Sequence, residues 1–162
     1  MEVSRVLVMS DSHGRNVGVL AALGKEKTID LLVHLGDVQG STEEIEKAAG
    51  CSCFFVRGNC DYDPNLPAFT VFFMGKHKVF AAHGHRYQVS YGTESLELNA
   101  KQNGCDVAMY GHTHVPFILK KKDMLILNPG SISLPRQSGF KKTYMVLTMN
   151  EQGDIIPELK EL

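Results

Sequence analysis

Short apolar runs, each closed by polar residues and a glycine, set the rhythm of this chain. Residues 5–9 contain Val6-Leu7-Val8-Met9 and predict a buried strand. Residues 17–27 predict a helix with Val17, Leu20, Ala21 and Gly24 on one face. Residues 31–34 predict a second strand. Ser41-Thr42-Glu43-Glu44 has the form of a capping box, Ser41 with Glu44, and opens a helix to about residue 49. Residues 53–56 predict a third strand. Strands alternating with helices imply parallel βαβ units.

The second half is richer in antiparallel signals. Residues 68–74 and 78–82 flank Gly75-Lys76-His77 and predict a hairpin. A helix over 93–103 and a strand over 106–110 follow. Residues 117–121 and 124–127 predict another hairpin around Lys122-Asp123, and residues 143–149 and 155–159 flank a turn over 150–154. Two mixed sheets packed together, with helices outside, fit both halves.

A length of 162 residues suits one domain, residues 1–162, with a real core. A net charge of -1 gives no general attraction to polyanions, so a nucleic-acid scaffold role is not expected. A small phosphorylated substrate stays open, because one local site can bind it whatever the total charge. The N-terminal residues lack the pattern of a signal peptide, and no apolar run reaches membrane-spanning length, so the expected location is cytoplasmic, away from membranes. Cys51-Ser52-Cys53 is too close for a zinc knuckle. Cys53 and Cys105 are expected as apolar fillers.

The polar residues that close the apolar runs carry the chemistry. Val6-Leu7-Val8-Met9 leads into Ser10-Asp11-Ser12-His13-Gly14, and Leu31-Leu32-Val33-His34-Leu35 into Gly36-Asp37. Phe54-Phe55-Val56 leads into Arg57-Gly58-Asn59-Cys60-Asp61. Val79-Phe80-Ala81-Ala82 leads into His83-Gly84-His85, and Val107-Ala108-Met109-Tyr110 into Gly111-His112-Thr113-His114. Sites in α/β sheets form at the carboxyl ends of strands, so these tips converge if the strands are neighbours. Taken singly, each fragment is a weak signal, but all occupy equivalent positions.

Asp11, His13, Asp37, Asn59, His83, His112 and His114 together offer carboxylate and amide oxygens and imidazole nitrogens. That mixture suits manganese, iron, zinc, nickel or cobalt, and is too nitrogen-rich for calcium. Seven groups exceed one tetrahedral site and fit two metals that share a carboxylate. Two divalent ions bring four positive charges, of which Asp11 and Asp37 offset two. The remainder favours a hydroxide and an anionic phosphate oxygen. In extended chain His112 and His114 would lie roughly 6–7 Å apart on one side, so each could serve a different metal.

These fragments, in this order, resemble the signature of the calcineurin-like metallophosphoesterases. Asn128-Pro129-Gly130-Ser131 resembles the small microbial phosphodiesterase branch of that superfamily. The resemblance implies a four-layer α/β/β/α sandwich, with Asp11, His13 and His114 on one metal, Asn59, His83 and His112 on the other, and Asp37 bridging. It implies Mn2+ or a similar divalent ion (Ni2+, Fe2+, Zn2+ or Co2+), a metal-bridging hydroxide that attacks phosphorus in line, and a homodimer or homotetramer.

One departure bears on substrate. Many phosphomonoesterases of the superfamily carry His after the Gly-Asn, where it helps protonate the leaving oxygen, followed by Glu; here the residues are Cys60 and Asp61. A thiol with an unperturbed pKa of about 8.5 is a poor substitute for imidazole. The expected reaction is therefore hydrolysis of a small phosphodiester with a good leaving group. Asp61, His85 or water could fill the acid's role. A monoesterase or nucleotidase, or a non-catalytic module like the retromer subunit of this fold, are the competing readings.

Beyond the ligands, Arg57 is a candidate phosphate clamp or a partner of Asp61, and His85 a candidate substrate contact. Asn59 and His83 are expected to touch both metal and substrate. His34 is expected as a satisfied core histidine, His77 as a surface turn residue, and Lys120, Lys121 and Lys122 as a solvated hairpin tip. Asn128-Pro129-Gly130-Ser131 is expected to shape a loop beneath the site.

Overall fold

Strand side chains alternate between two faces, and here most strands are apolar on both, so each sheet needs cover on both sides. The structure, a computed structural model, describes residues 2–162. In chain order the first half comprises β1 (Arg5–Met9), α1 (Asn16–Lys25), β2 (Leu31–His34), α2 (Thr42–Ala49) and β3 (Ser52–Phe55). The second half comprises β4 (Phe69–Met74), β5 (His77–Ala82), α3 (Glu94–Gln102), β6 (Val107–Met109), β7 (Phe117–Lys120), β8 (Leu125–Asn128), β9 (Thr143–Met149) and β10 (Ile155–Glu161). A single 3₁₀ turn, His85–Tyr87, follows β5.

Two five-stranded mixed sheets result, ordered β10-β9-β1-β2-β3 and β4-β5-β6-β8-β7. β1, β2 and β3 run parallel, and so do β5, β6 and β8. The inner faces meet through Val6, Val8, Leu31 and Val33 from one sheet and Val79, Ala81, Val107 and Met109 from the other. On the outer face of the first sheet, Leu7, Met9 and Leu32 pack under Val19 and Ala22 of α1 and Ile45 of α2. On the outer face of the second, Phe80, Ala108 and Ile126 pack under Leu96 and Ala100 of α3. This is the four-layer α/β/β/α sandwich that the resemblance implied.

Several local expectations hold and others do not. Ser41 caps α2, its Oγ accepting from the Glu44 amide at 3.1 Å. The Glu44 carboxylate does not close the box; it accepts from the Asn16 carboxamide at 2.8 Å. That bond helps explain why α1 turns a different face inward from the one its sequence suggested. Asn16, Val19 and Ala22 are buried while Val17 is 81% exposed. Asn16 also donates to the Ser41 carbonyl at 3.2 Å. Gly18 faces the Ile132 carbonyl, where a β-carbon would sit 2.8 Å from the oxygen.

His77 is not a solvated turn residue. It is half-buried and ties β5 to Asp106 Oδ2 at 2.7 Å and to the Gly153 carbonyl at 3.0 Å. At the second hairpin Lys120, Lys121 and Lys122 are exposed as expected, and Lys121 also pairs with Glu97 at 2.8 Å. All four cysteines are free; Cys105 is buried, and half-buried Cys53 packs against the cluster under α2. Among the described residues no helix is long and apolar enough to cross a membrane.

Candidate metal centre

The carboxyl ends of β1, β2, β3, β5 and β6 point to one pole, and the loops that leave them carry Asp11, Asp37, Asn59, His83, His112 and His114. Both sheets contribute, so the cluster lies across the seam between them. The backbone there is unusual. Asp11, His13, Asp37, His112 and His114 all have positive φ, at 57°, 49°, 53°, 67° and 59°. Such conformations cost of order 1–3 kcal/mol each for residues other than glycine, and they concentrate where function holds them. Glycines clear the space beside them. A β-carbon at Gly58 would overlap the Asp37 carboxylate, and one at Gly111 would overlap Ser10 Oγ and crowd Asp11.

The structure brings all seven residues together in two groups. In the first, Asp11 Oδ1 lies 3.2 Å from His114 Nε2 and 3.7 Å from His13 Nε2, and the two ring nitrogens are 3.2 Å apart. In the second, Asn59 Oδ1 lies 3.0 Å from His83 Nε2 and 3.1 Å from His112 Nδ1. Asp37 Oδ2 sits between the groups, 3.2 Å from His83 Nε2 and 3.6 Å from His13 Nε2. His112 and His114 thus serve opposite groups, through left-handed backbone and not the extended chain their spacing suggested.

Second partners set the lone pairs of three imidazoles. His83 Nδ1 is 2.7 Å from the Leu35 carbonyl and His114 Nδ1 is 2.6 Å from the Leu134 carbonyl. A carbonyl oxygen can only accept, so in the neutral ring Nδ1 carries the proton and Nε2 offers its lone pair to the cluster. Gln39 Oε1 does the same for His13, 2.6 Å from Nδ1. The sequence reading missed Gln39; its place two residues beyond Asp37 in a strand-end loop was the available signal.

The cluster is built for cations. Asp11 is fully buried, and among the described residues its Oδ1 accepts no hydrogen bond. Burial alone would raise the Asp11 carboxyl, but the imidazoles of His114 and His13 hold it well below the usual carboxylate range. Burial likewise opposes the ionised form of Asp37, and the bond to His83 outweighs it. Contact with Asp11 raises His13, and Asp37 and Asp11 raise His83 against the effect of burial. An orphaned buried carboxylate oxygen facing unprotonated ring nitrogens is what a divalent cation would satisfy, so the residues present fit the metals their chemistry suggested.

The flanking residues divide. Asp61 is buried and accepts from the amides of Asp37 (2.8 Å), Gly58 (2.8 Å) and Gln39 (3.0 Å), so it braces the ligand loops and is not free to act as an acid. Arg57 is held beside the ligand loops, its Nε donating to the Asp61 carbonyl at 3.4 Å. His85 does approach, with its ring centroid 5.4 Å from that of His83 and 6.2 Å from that of His112. Burial and then the neighbouring His83 lower its pKa. Cys60 Sγ lies within 4.8 Å of ligand atoms of His13 and Asp37, and burial followed by the Asp37 charge pushes its thiol up.

Below the cluster the expected supports are in place. Asn128 donates to the Gly111 carbonyl at 3.1 Å, and Ser131 Oγ donates to the Asp11 carbonyl at 2.8 Å. His34 is fully buried, 2.9 Å from Ser12 Oγ, and burial pushes its pKa down to about 4.

A family model described as the calcineurin-like phosphoesterase superfamily domain matches residues 5–152. The chain is 31% identical over 151 residues to the probable metallophosphoesterase YsnB of Bacillus subtilis, covering 91% of this chain and 86% of that one. It is 35% identical to phosphodiesterase YfcE of Escherichia coli K12 over 89 residues, 50% of this chain and 45% of that one. Its fold is similar to that of a predicted phosphoesterase from Streptococcus pneumoniae, with a TM-score of 0.81 at 24% identity over 100% of this chain and 99% of that one. It is also similar in fold to Vps29 of Entamoeba histolytica complexed with zinc, with a TM-score of 0.77 at 22% identity over 97% and 98% of the two chains.

Proposed function

The chain belongs to the calcineurin-like phosphoesterase superfamily and is a metal-dependent phosphoesterase; from that premise we propose that it is a phosphodiesterase that uses two divalent metals on small phosphodiesters. The observation that carries the two-metal reading is Asp37, whose Oδ2 stands within 3.6 Å of a ring nitrogen from each group. Asp11, His13 and His114 would hold one ion, Asn59, His83 and His112 the other, and Asp37 both. Manganese is the ion we expect, on the donor set. Two such ions would polarise a phosphoryl oxygen and make hydroxide available near neutral pH.

Charge and proton supply favour the diester. Asp11 and Asp37 leave two formal positive charges, which a hydroxide and a singly charged diester neutralise; a doubly charged monoester overshoots. The protein's own acids near the leaving oxygen are few. Asp61 is committed to three amides, and the Cys60 thiol titrates above its ordinary range. The nearby half-buried imidazole of His85 is the group best placed to orient or protonate a substrate oxygen. The likeness to YfcE points the same way.

The test is turnover of an aryl phosphodiester and the matching monoester by purified protein loaded with manganese, nickel, iron, zinc or cobalt. Diester preference is expected, lost in Asp37→Ala and His83→Ala while the fold survives by circular dichroism. Monoester preference would overturn the diester reading. Bound metal without turnover of either would favour a binding role, the outcome for which the likeness to Vps29 leaves room.

A further inference from the structure

A groove of about 260 Å³ opens beside the metal centre, between the start of α2 and the loop that follows β3. It begins at the ligand residues themselves. Cys60 and Gln39 line its inner end, and they touch Asp37 and His13 respectively. Its walls are Tyr62, 88% exposed, with Leu66, Thr42 and Asp63. The volume is just below that of small-ligand clefts, which run from about 300 to 1,000 Å³. It suits one small alcohol moiety and not a long chain.

The charge of the groove is one-sided. None of its lining residues is Lys, Arg or His, and its free acid is Asp63, since the Asp61 carboxylate is buried on backbone amides and Arg57 donates to the Asp61 carbonyl. The start of α2 does not offset this, because its first turn already carries Glu43 and Glu44. A metal-loaded centre would draw one anionic phosphate, and the exposed Asp63 in the adjoining groove would oppose a second anion.

Resting on the phosphodiesterase reading, we infer that this groove is the subsite for the substrate's alcohol moiety, that it admits neutral or cationic moieties, and that Asp63 is its charge-selecting residue. The substrate class is then a diester with a single phosphate whose alcohol is a polyol, an uncharged ring or an amino alcohol. Nucleoside di- and triphosphates and oligonucleotides, which bring further negative charge, are rejected. Tyr62 supplies a stacking or apolar wall, and Thr42 a hydroxyl for polar atoms of the moiety.

The experiment compares two symmetric substrates, bis(4-nitrophenyl) phosphate and bis(4-carboxyphenyl) phosphate, in the unchanged protein and in Asp63→Asn and Asp63→Lys. Symmetry removes the question of which arm occupies the groove, and comparing ratios between proteins cancels the difference in leaving group. Asp63 is exposed and its Oδ1 accepts from the Asn65 amide at 2.9 Å, a bond that the Asn variant keeps, so folding is not at issue. The expected result is that kcat/KM for the carboxylate substrate relative to the nitro substrate rises about three- to tenfold in Asp63→Lys and less in Asp63→Asn. The change should appear in KM, not kcat, and shrink with added salt. Tyr62→Ala should raise KM for both substrates at constant kcat. An unchanged ratio, with the nitro diester hydrolysed normally, overturns the subsite and leaves the phosphodiesterase reading standing. Failure to hydrolyse the nitro diester with any of the metals overturns both.

Discussion

Replacing Asp61 separates two roles that its position in the sequence leaves mixed: an acid for the leaving group and a brace for the ligand loops. In the structure its carboxylate accepts the amides of Asp37, Gly58 and Gln39 at 2.8, 2.8 and 3.0 Å. Asp61→Ala would leave those three donors without their partner. A buried donor left unpaired costs about 1–3 kcal/mol, and water entering beside exposed Asn59 would recover part of that. The expected loss is about 3–6 kcal/mol, which for a chain of this size lowers Tm by roughly 10–20 °C. Asp37 and Gly58 would also lose their fixed backbone orientation, so metal retention should fall with stability. Asp61→Asn keeps one accepting oxygen but turns an amide NH2 toward amide N–H groups, so it should lose about half as much. Thermal unfolding followed by circular dichroism, with metal content measured on the same samples, reads both quantities. If Asp61→Asn keeps full stability and metal, and only removes the alkaline limb of the pH profile for slow-leaving diesters, Asp61 is an acid and the brace account is wrong.

Gly111→Ala should abolish metal retention and activity, because its β-carbon would displace Ser10 and Asp11; metal analysis of the folded variant checks this. Burial holds His34 at about 4, below its unfolded value of 6.5, so the unfolded chain binds more protons between those limits. The stability contributed by neutral His34 is therefore full above about pH 6.5 and lost as pH falls toward 4, by a few kcal/mol. Urea unfolding of the protein and of His34→Gln across that range should show a shallower acid slope in the variant. Glu26 is buried, bonded to Tyr144 at 2.9 Å, Lys160 at 2.7 Å and Arg5 at 2.7 Å. Glu26→Ala should destabilise the protein by about 3 kcal/mol in chemical denaturation while leaving kcat unchanged.

The strand-end logic was legible because β-strands in this fold are short and apolar on both faces, so a polar residue after one can only belong to the loop pole. That logic placed Asp11, Asp37, Asn59, His83, His112 and His114 at one pole, and the structure adds how they get there. The left-handed backbone at Asp11, His13, Asp37, His112 and His114 leaves only a weak propensity signal: Asp and His visit that conformation more often than most side chains, but surrounding contacts decide where. The inward face of α1 was unreadable for a different reason. Residues 17–24 are Val-Gly-Val-Leu-Ala-Ala-Leu-Gly, apolar or glycine all round, so periodicity selects no face and the bonds of Asn16 decide it. His77 read as a surface residue because its partners, Asp106 and Gly153, lie far along the chain. The carbonyls of Leu35 and Leu134, which set the tautomers of His83 and His114, come from the main chain and leave no trace in residue type.

Under the proposed function seven side chains hold two metals, and both are needed for diester hydrolysis. The most direct measurement is a titration of metal-free protein with Mn2+, reading bound metal per chain and aryl diester turnover on the same samples. Binding should saturate at two ions per chain, turnover should appear with the second, and Asp37→Asn should lose both together. Saturation at one ion with full turnover, or at two ions with none, would contradict it.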